Sequence, residues 1–199
     1  IKAVDICAAA GRNATLLNST LHVDSLLIAN EILENQIHTL QHNIVRWGYP
    51  NVVNTNNDPS AFHNLPGYFD LILLDAPSSG AGFVQNEHNT QVEAPLDHIA
   101  MFSEGQRHIL TSCQESLKTN GYLIYTTCSS SKEENEGILD WLIDSFHFES
   151  ITIPMNQHCD IKQSLSEKHQ ATGYRFNSDE DHGDCFFIAV LKKKSMQHT

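Results

Sequence analysis

The sequence lacks the features of secreted, membrane-spanning and disulfide-stabilised proteins. Its five cysteines are odd in number, widely spaced and form no Cys-x-x-Cys pair, which argues against both a disulfide framework and a zinc site. No apolar run approaches the ~20 residues that span a bilayer, and there is no signal-type segment. These absences predict a cytoplasmic protein that does not contact a membrane.

Basic residues are also scarce. The chain has 12 Lys and Arg residues against 24 Asp and Glu residues, which gives a net charge of -12. Because nucleic-acid binding relies on Lys and Arg to neutralise phosphates, this balance argues against a broad nucleic-acid surface on this chain alone. Any RNA-binding surface has to be local or supplied by another part of the protein.

The pattern of apolar residues predicts a single α/β domain, and 199 residues are enough to bury a core without disulfides. Seven strands are predicted, at residues 2–7, 25–30, 51–55, 69–75, 122–127, 148–153 and 186–191. Helices are predicted at residues 31–47, 103–117 and 133–146, with a loop at 81–100 and a polar stretch at 155–184. This order indicates a doubly wound, mostly parallel sheet whose last two strands form an antiparallel hairpin at one edge.

Several predicted strands end in residues that can bind or react with a ligand: Gly11 in a small-residue turn, Glu31, Asp58, Asp75 and Cys128. Ligands of parallel α/β sheets bind outside the carboxyl ends of the strands, so these residues define a candidate site. Glu31 has the position of a residue that binds a ribose, which indicates a dinucleotide or S-adenosylmethionine as cofactor. The lack of a Gly-x-Gly-x-x-Gly motif weakens the dinucleotide alternative. For Asp75, the competing interpretation is a helix cap in an ordinary loop.

Cys128 lies between a predicted strand and the predicted start of a helix. A thiol near a helix N-terminus ionises more readily and can act as a nucleophile; the alternative is a buried, inert cysteine. His38 and His42 have a spacing that suits a metal, but no third ligand is apparent, so we expect no metal site. The acidic residues at 133–136 are interpreted as a helix first turn that complements the helix dipole.

Five motifs together resemble a known enzyme family. They are Asp5-Ile-Cys-Ala-Ala-Ala-Gly11, Ala29-Asn-Glu31, Asn57-Asp58, Asp75-Ala-Pro-Ser-Ser-Gly80-Ala-Gly82 and Tyr125-Thr-Thr-Cys128-Ser. In order and spacing they resemble the Nop/Sun family of RNA cytosine-5 methyltransferases, and most of all its bacterial branch that acts on small-subunit ribosomal RNA. The segments beginning at Gly173 and Gly183 are similar to that family's closing region, so the resemblance covers nearly the whole chain.

The resemblance implies a Rossmann-like, class I S-adenosylmethionine-dependent methyltransferase that modifies carbon 5 of a cytosine, with ribosomal RNA as its partner. Cys128 matches the family's nucleophile, and Asp75 matches the residue that holds the base near N3. The methionine part of the cofactor would lie against the first turn, its ribose on Glu31 and its adenine beside Asp58. The cofactor-binding residues that the resemblance implies are Cys7, Ala8, Ala9, Ala10, Gly11, Arg12, Asn13, Glu31, Asp58 and Asp75.

The chain departs from the family's motifs at three places beside this site. Ala10, Arg12 and Asn13 stand where the family has Pro, Gly and Lys. Ser78 replaces a second cysteine that is tied to product release, and serine is a far weaker acid than cysteine. Residues 83–88 replace a basic segment. Two alternatives to an active enzyme therefore stay open: a non-catalytic homologue that binds RNA or protein, and a different enzyme acting on a small molecule or dinucleotide.

The sequence begins directly in a predicted strand and without Met. We therefore interpret residues 1–199 as the catalytic core of a longer protein. In the family that the chain resembles, flanking parts commonly supply RNA-binding domains, and we expect such a domain to lie outside this sequence. We also expect the protein to be a monomer.

Overall fold

The computed structural model describes residues 1–80, 95–155, 161–177 and 185–195. The strands are β1 (Lys2–Asp5), β2 (Leu26–Asn30), β3 (Val52–Thr55), β4 (Phe69–Asp75), β5 (Leu117–Thr127), β6 (Phe148–Ser150), β7 (Ile161–Leu165), β8 (Thr172–Asn177) and β9 (Cys185–Lys193). The α-helices are α1 (Arg12–Thr20), α2 (Glu34–Trp47), α3 (Leu96–Cys113) and α4 (Glu136–Phe146), and short 3-10 helices cover Pro59–Asn64 and Gln114–Ser116. The chain divides into two compact units, residues 1–75 with 109–124 and residues 76–108 with 125–199.

The first unit is built on parallel strands. β1 pairs in parallel with both β2 and β4, and β2 pairs in parallel with β3, so the strand order is β3-β2-β1-β4. In this register, Val4 lies beside Ile28 and Ile72. The strands are rich in apolar residues because both faces of a parallel sheet are covered. Their carboxyl ends therefore lie together at one edge of the sheet.

Helix α2 packs on this sheet through one apolar face. Its buried residues, which cluster with side chains of β1 and β2, are Ile37, Leu40 and Ile44. The helix begins at Glu34 and not at the predicted residue 31. The reason is local: Glu31 belongs to the loop after β2, and its carboxylate accepts the N–H of Leu33 at 2.8 Å, before the first helical residue.

The second unit carries antiparallel strands. β9 pairs with β8 and with β6, and β7 pairs with β8. The antiparallel pairing predicted for the last two strands is confirmed by β6 and β9, where Phe148 lies beside Lys193. The predicted fold class, an α/β sheet that is mostly parallel with an antiparallel edge, is therefore confirmed.

The number of strands and the hairpin are wrong in the prediction. The described residues contain nine strands instead of seven, because β7 and β8 come from the stretch 155–184, which looked only polar. β6 and β9 are consequently not neighbours along the chain. In β7, Lys162 and Gln163 are exposed. A strand at the end of a sheet needs few apolar side chains, so its sequence carries a weak strand signal.

Three other boundaries differ from the prediction. α3 begins at Leu96, inside the stretch predicted as a loop, of which residues 81–94 lie outside the described part. β5 begins at Leu117 and runs through the predicted turn, where Asn120 takes the left-handed conformation (φ 65°). α4 begins at Glu136 and not at residue 133. Among the described residues, no helix is both long and apolar enough to span a membrane.

A glycine in β8 tests the packing of the antiparallel strands. A Cβ placed on Gly173 would overlap the ring of Phe187, which is fully buried in β9. We expect Gly173→Ala to lower the free energy of unfolding by about 1–3 kcal/mol, because the ring has no room to move. Urea unfolding followed by circular dichroism measures this change.

The matched control is Gly105→Ala in α3, where a new Cβ meets no atom within 4 Å. Alanine is the better helix former, so this variant should be unchanged or more stable by up to ~1 kcal/mol. Equal destabilisation of both variants would contradict the packing described for β8.

Candidate functional site

Three carboxylates meet at the carboxyl edge of the first unit's sheet. Asp5 ends β1, Glu31 follows β2, and Asp75 ends β4. β1 lies between the other two strands, so Asp5 is in the centre of the group. Asp5 is fully buried and Glu31 is only 5% exposed. The edge of the sheet thus gathers three carboxyl groups where solvent cannot screen charge well.

Asp5 is the most unusual member of this group. Neither of its carboxylate oxygens has a hydrogen bond of normal geometry. Burial, followed by the negative charge of Asp75 and then that of Glu31, raises the pKa of Asp5 to about 8, although the nearby N–H of Cys7 acts in the opposite direction. A buried acid in this state favours a cationic neighbour, which would supply the missing partner.

The first turn lies directly against these carboxylates. Gly11 adopts a left-handed conformation (φ 87°), and a Cβ there would lie 2.8 Å from Leu40 Cδ1 of α2. Asn43 of α2 donates a hydrogen bond to the carbonyl of Ala10 at 2.8 Å. The turn is therefore held close to α2 and needs glycine at this point. Arg12 begins α1 and its side chain is exposed.

Glu31 fixes the other side of the same turn. Its Oε2 accepts the N–H of Ala9 at 2.7 Å, and its Oε1 accepts the N–H of Leu33 at 2.8 Å. A carboxylate has about four acceptor sites, so these two bonds leave capacity for ribose hydroxyls. Cys7 lies in this turn, and burial followed by the charges of Asp5 and Glu31 raises the pKa of its thiol. Cys7 is therefore a thiol and not a thiolate.

Asp58 and Asp75 have identifiable partners. Asp58 caps the 3-10 helix Pro59–Asn64 by accepting the N–H of Ser60 at 2.9 Å. Asp75 accepts a hydrogen bond from Asn13 Nδ2 at 2.6 Å. Asn13 is one of the departures from the family's motifs, and it gives Asp75 a neutral partner. The structure thus brings the first turn, Glu31 and Asp75 together, with Asp58 in the loop after β3.

Sequence reasoning missed Asn30, which organises the loops at this edge. Asn30 is fully buried; its Nδ2 donates to the carbonyls of Ile6 at 3.1 Å and Asn57 at 2.9 Å. Its Oδ1 accepts from Thr55 Oγ1 at 2.8 Å and from the N–H of Asn57 at 3.0 Å. The signal available in the sequence was an amide side chain at the end of an apolar strand, because a buried amide needs hydrogen-bond partners.

In the second unit, the loop that follows Asp75 in the sequence packs against Cys128. Ser78 Oγ accepts the backbone N–H of Cys128 at 3.2 Å, and Ser78 is 3% exposed. A Cβ on Gly80 would overlap the carbonyl oxygen of Cys128, so only glycine permits this approach. Cys128 is itself exposed. Ser78 and Cys128 are therefore neighbours, with the thiol accessible.

Two predictions about the segment after Cys128 are wrong. No helix begins directly after Cys128, because α4 begins at Glu136, so the helix dipole does not account for reactivity of this thiol. Glu134 and Glu136 are also not a solvated first turn: Glu134 is fully buried, and Glu136 forms an ion pair with Arg175 at 2.6 Å. Their partners lie far away in the sequence, so a local helix pattern could not reveal them.

A metal was not expected from the sequence. His38 and His42 are exposed on α2. In the part of the chain that the structure describes, no group of three or more His, Cys, Asp or Glu side chains is arranged to hold a metal ion. Residues 83–88, where a basic segment is replaced, lie outside the described residues.

The raised pKa of Asp5 gives the chain a defined pH dependence. Between the ordinary pKa of about 4 and the folded-state value of about 8, the folded chain keeps a proton that the unfolded chain has released. Stability from this group is complete below pH 4 and is lost as pH rises through 8. We expect the free energy of unfolding to fall by ~2–4 kcal/mol from pH 5 to pH 8, and Asp5→Asn to remove this fall.

Urea unfolding at pH 5 and pH 8 measures the difference. Asp70→Asn is the control: burial opposes ionisation of Asp70, but hydrogen bonds from Lys118 and from the N–H of Lys2 lower its pKa below the ordinary value. The stability that ionised Asp70 contributes is lost only when the pH falls below its lowered pKa. The change in the free energy of unfolding between pH 5 and pH 8 should therefore be the same in Asp70→Asn as in the unaltered chain. An Asp5→Asn variant with the original slope would contradict the electrostatics described for this edge.

Comparison with known proteins identifies relatives over nearly the whole chain. A family model described as 16S rRNA methyltransferase RsmB/F matches residues 2–192. Ribosomal RNA small subunit methyltransferase F from Psychromonas ingrahamii is 37% identical over 194 residues, which cover 96% of this chain and 39% of that protein. The protein of the same name from Citrobacter koseri is 32% identical over 197 residues, with 96% and 40% covered. The chain thus spans about 40% of the length of these curated relatives.

Solved structures also superimpose on nearly the whole chain. NSun6 from Pyrococcus horikoshii, crystallised with SFG, superimposes with a TM-score of 0.78 and 27% identity, covering 98% of this chain and 49% of that one. A SAM-dependent O-methyltransferase from Thermotoga maritima has a TM-score of 0.60 at 14% identity, covering 100% of this chain and 61% of the other. The second similarity shows the fold alone.

Proposed function

Because the chain belongs to the 16S rRNA methyltransferase RsmB/F family, we propose that it methylates carbon 5 of a cytosine in ribosomal RNA, with S-adenosylmethionine as methyl donor. The observation that carries the proposal is the exposed thiol of Cys128 beside the loop that contains Ser78. Since the chain spans only part of its relatives, recognition of the RNA belongs to the proposal as well. So do a cytoplasmic location and a monomeric state.

The residues at the edge of the first unit fit S-adenosylmethionine. This cofactor carries a positive ammonium and a positive sulfonium, and Asp5 is a buried acid whose oxygens have no hydrogen bond of normal geometry, beside two further carboxylates. Glu31 retains acceptor capacity for ribose hydroxyls, and we assign the adenine to the loop that holds Asp58. The small side chains of residues 8–11 leave the backbone of the first turn open to a ligand. When bound, S-adenosylmethionine supplies the methyl group.

Cys128 is the residue that we assign as nucleophile. Carbon 5 of cytosine is a poor nucleophile until a thiolate adds to carbon 6, so the reaction needs an ionisable thiol. Among the three cysteines whose thiols the structure describes, Cys113 is 1% exposed, Cys7 has a raised pKa, and Cys128 is exposed. A buried thiol cannot reach a base, and a raised pKa withholds the thiolate.

The proposed reaction passes through a covalent adduct between Cys128 and the base. The Cys128 thiolate would form a bond to carbon 6, and carbon 5 would take the methyl group as the sulfur–methyl bond of the donor breaks, which leaves S-adenosylhomocysteine. Transfer of the carbon-5 proton to solvent and cleavage of the bond between Sγ and carbon 6 would return the thiolate and release 5-methylcytosine. We assign Asp75 to the edge of the base near N3, where it stabilises the adduct; Asn13 would hold its carboxylate in place.

Ser78 supports a second candidate function, a non-catalytic homologue that binds RNA or protein. Its hydroxyl is buried and accepts the N–H of Cys128, and a serine in this position is a poor acid or base for product release. Asn13 likewise gives Asp75 a neutral partner. Cofactor binding without methyl transfer would favour this candidate.

Glu31 tests the cofactor site. Glu31→Ala should weaken binding of S-adenosylmethionine by about 1–3 kcal/mol, because a charged hydrogen-bond acceptor is lost. Calorimetric titration measures the affinity, and circular dichroism checks that the variant is folded, since Glu31 also anchors Ala9. Glu34→Ala, an exposed neighbour in α2, is the control and should bind normally. An unchanged affinity in Glu31→Ala would contradict the assigned ribose position.

Cys128 tests the chemistry. Cys128→Ser should reduce methylation of a small-subunit ribosomal RNA fragment by at least about a thousandfold, because serine is not ionised at neutral pH, while cofactor affinity stays the same. Transfer of labelled methyl groups measures the rate. Ser130→Ala changes an exposed neighbour in the same loop and should retain activity. Appreciable methylation by Cys128→Ser would exclude this residue as nucleophile.

A further inference from the structure

A fully buried carboxylate lies beneath the two loops of the second unit that meet at Cys128. Glu134 is 0% exposed and accepts four hydrogen bonds, two on each oxygen. Its Oε1 accepts from the hydroxyls of Ser79 and Ser129, the second at 2.8 Å. Its Oε2 accepts the N–H of Ser79 at 3.0 Å and Gln106 Nε2 at 2.9 Å. These four donors occupy the acceptor sites of the carboxyl group, so its burial leaves neither oxygen without a partner.

The donors place Glu134 between the two loops. Ser79 is next to Ser78 in one loop, and Ser129 is next to Cys128 in the other. The same loops touch directly, through the bond from the N–H of Cys128 to Ser78 Oγ and through the close approach of Gly80 to the Cys128 carbonyl. The carboxylate therefore binds one residue beside each partner of the Cys128 contact.

Further buried groups hold the carboxylate in position. Gln106 donates to the carbonyl of Pro77 at 3.0 Å and accepts from the Tyr125 hydroxyl at 3.0 Å. The Tyr125 hydroxyl also lies 2.7 Å from the backbone carbonyl oxygen of Glu134, so its one hydrogen is shared between two acceptors. Burial, and secondly the charge of Glu134, raise the pKa of Tyr125 well above its ordinary value, so this hydroxyl remains a donor. The network connects α3, β5 and both loops.

We infer that Glu134 is a positioning residue, which fixes Cys128 against the Ser78 loop and thereby sets where the thiol meets the base. The catalytic consequence of this role rests on the proposed function. The hydrogen bonds that link Glu134 to the loops around Cys128 do not require a substrate. Glu134 does not touch the substrate itself, because it is buried beneath the loops. A rigid support of this kind is what a nucleophile needs for a reproducible attack geometry.

Glu134→Gln tests the inference, because it keeps the shape but turns one acceptor into a donor that faces other donors. Hydrogen exchange followed by NMR should show the amide of Cys128 exchanging about tenfold faster, with exchange in β8 and the melting temperature little changed. With the methylation assay, kcat should fall by about tenfold to a hundredfold, while KM for S-adenosylmethionine stays the same.

Glu133→Gln is the matched control. Glu133 is exposed and accepts a hydrogen bond from Ser131 at 2.7 Å, so its change should leave exchange at Cys128 and kcat unaltered. If Glu134→Gln does not fold, Ser79→Ala decides, because it removes one donor and keeps the N–H of Ser79. It should accelerate exchange at Cys128 by about threefold.

The outcomes separate this inference from the proposed function. Faster exchange confined to Cys128 and its neighbours supports the positioning role even if the chain methylates no RNA. Exchange at Cys128 that equals the control in a folded variant overturns it, as does a uniform increase throughout the chain, which indicates a role in global stability alone. Loss of methylation in the unaltered chain contradicts the proposed function and leaves the exchange result to decide the coupling.

Discussion

Parallel pairing of β1 between β2 and β4 is the constraint on which the first unit's candidate site depends. Because the three strands run in the same direction, Asp5, Glu31 and Asp75 have to meet at one edge. Burial, and then the charges of Asp75 and Glu31, raise the pKa of Asp5 at the centre of the group to about 8. The edge is therefore prepared for a cationic ligand before any ligand binds.

Among the described residues, Asp5 and Glu134 are the two acids with no exposed surface, and their surroundings are opposite. Asp5 has no hydrogen bond of normal geometry, so a ligand that supplies a positive charge would improve its environment. Glu134 has four donors and needs nothing more. A buried acid with all its partners stabilises one arrangement of the loops around it. Asp5 is suited to a cationic cofactor, whereas Glu134 is suited to holding the loop of Cys128 in place.

Much of this arrangement could be predicted from the sequence, and the parts that could not share a physical cause. β4 is an apolar run that ends in Asp75, and α2 has an apolar period, so both were predictable from local patterns. β7 was missed because an end strand needs few apolar residues. Asn30 and Glu134 were missed because their burial depends on partners far along the chain. The roles given to Cys128 and Ser78 stay predictions.

Trapping of the covalent adduct tests whether Cys128 is the nucleophile. A ribosomal RNA fragment with 5-fluorocytosine at the target position should react with the chain and S-adenosylmethionine, because fluorine at carbon 5 cannot leave as a proton does. We expect a complex whose mass equals the sum of the chain, the RNA and one methyl group, and peptide mapping should find the RNA attached to Cys128. Methylation of the ordinary RNA without a trapped complex, or attachment at another residue, would contradict this assignment.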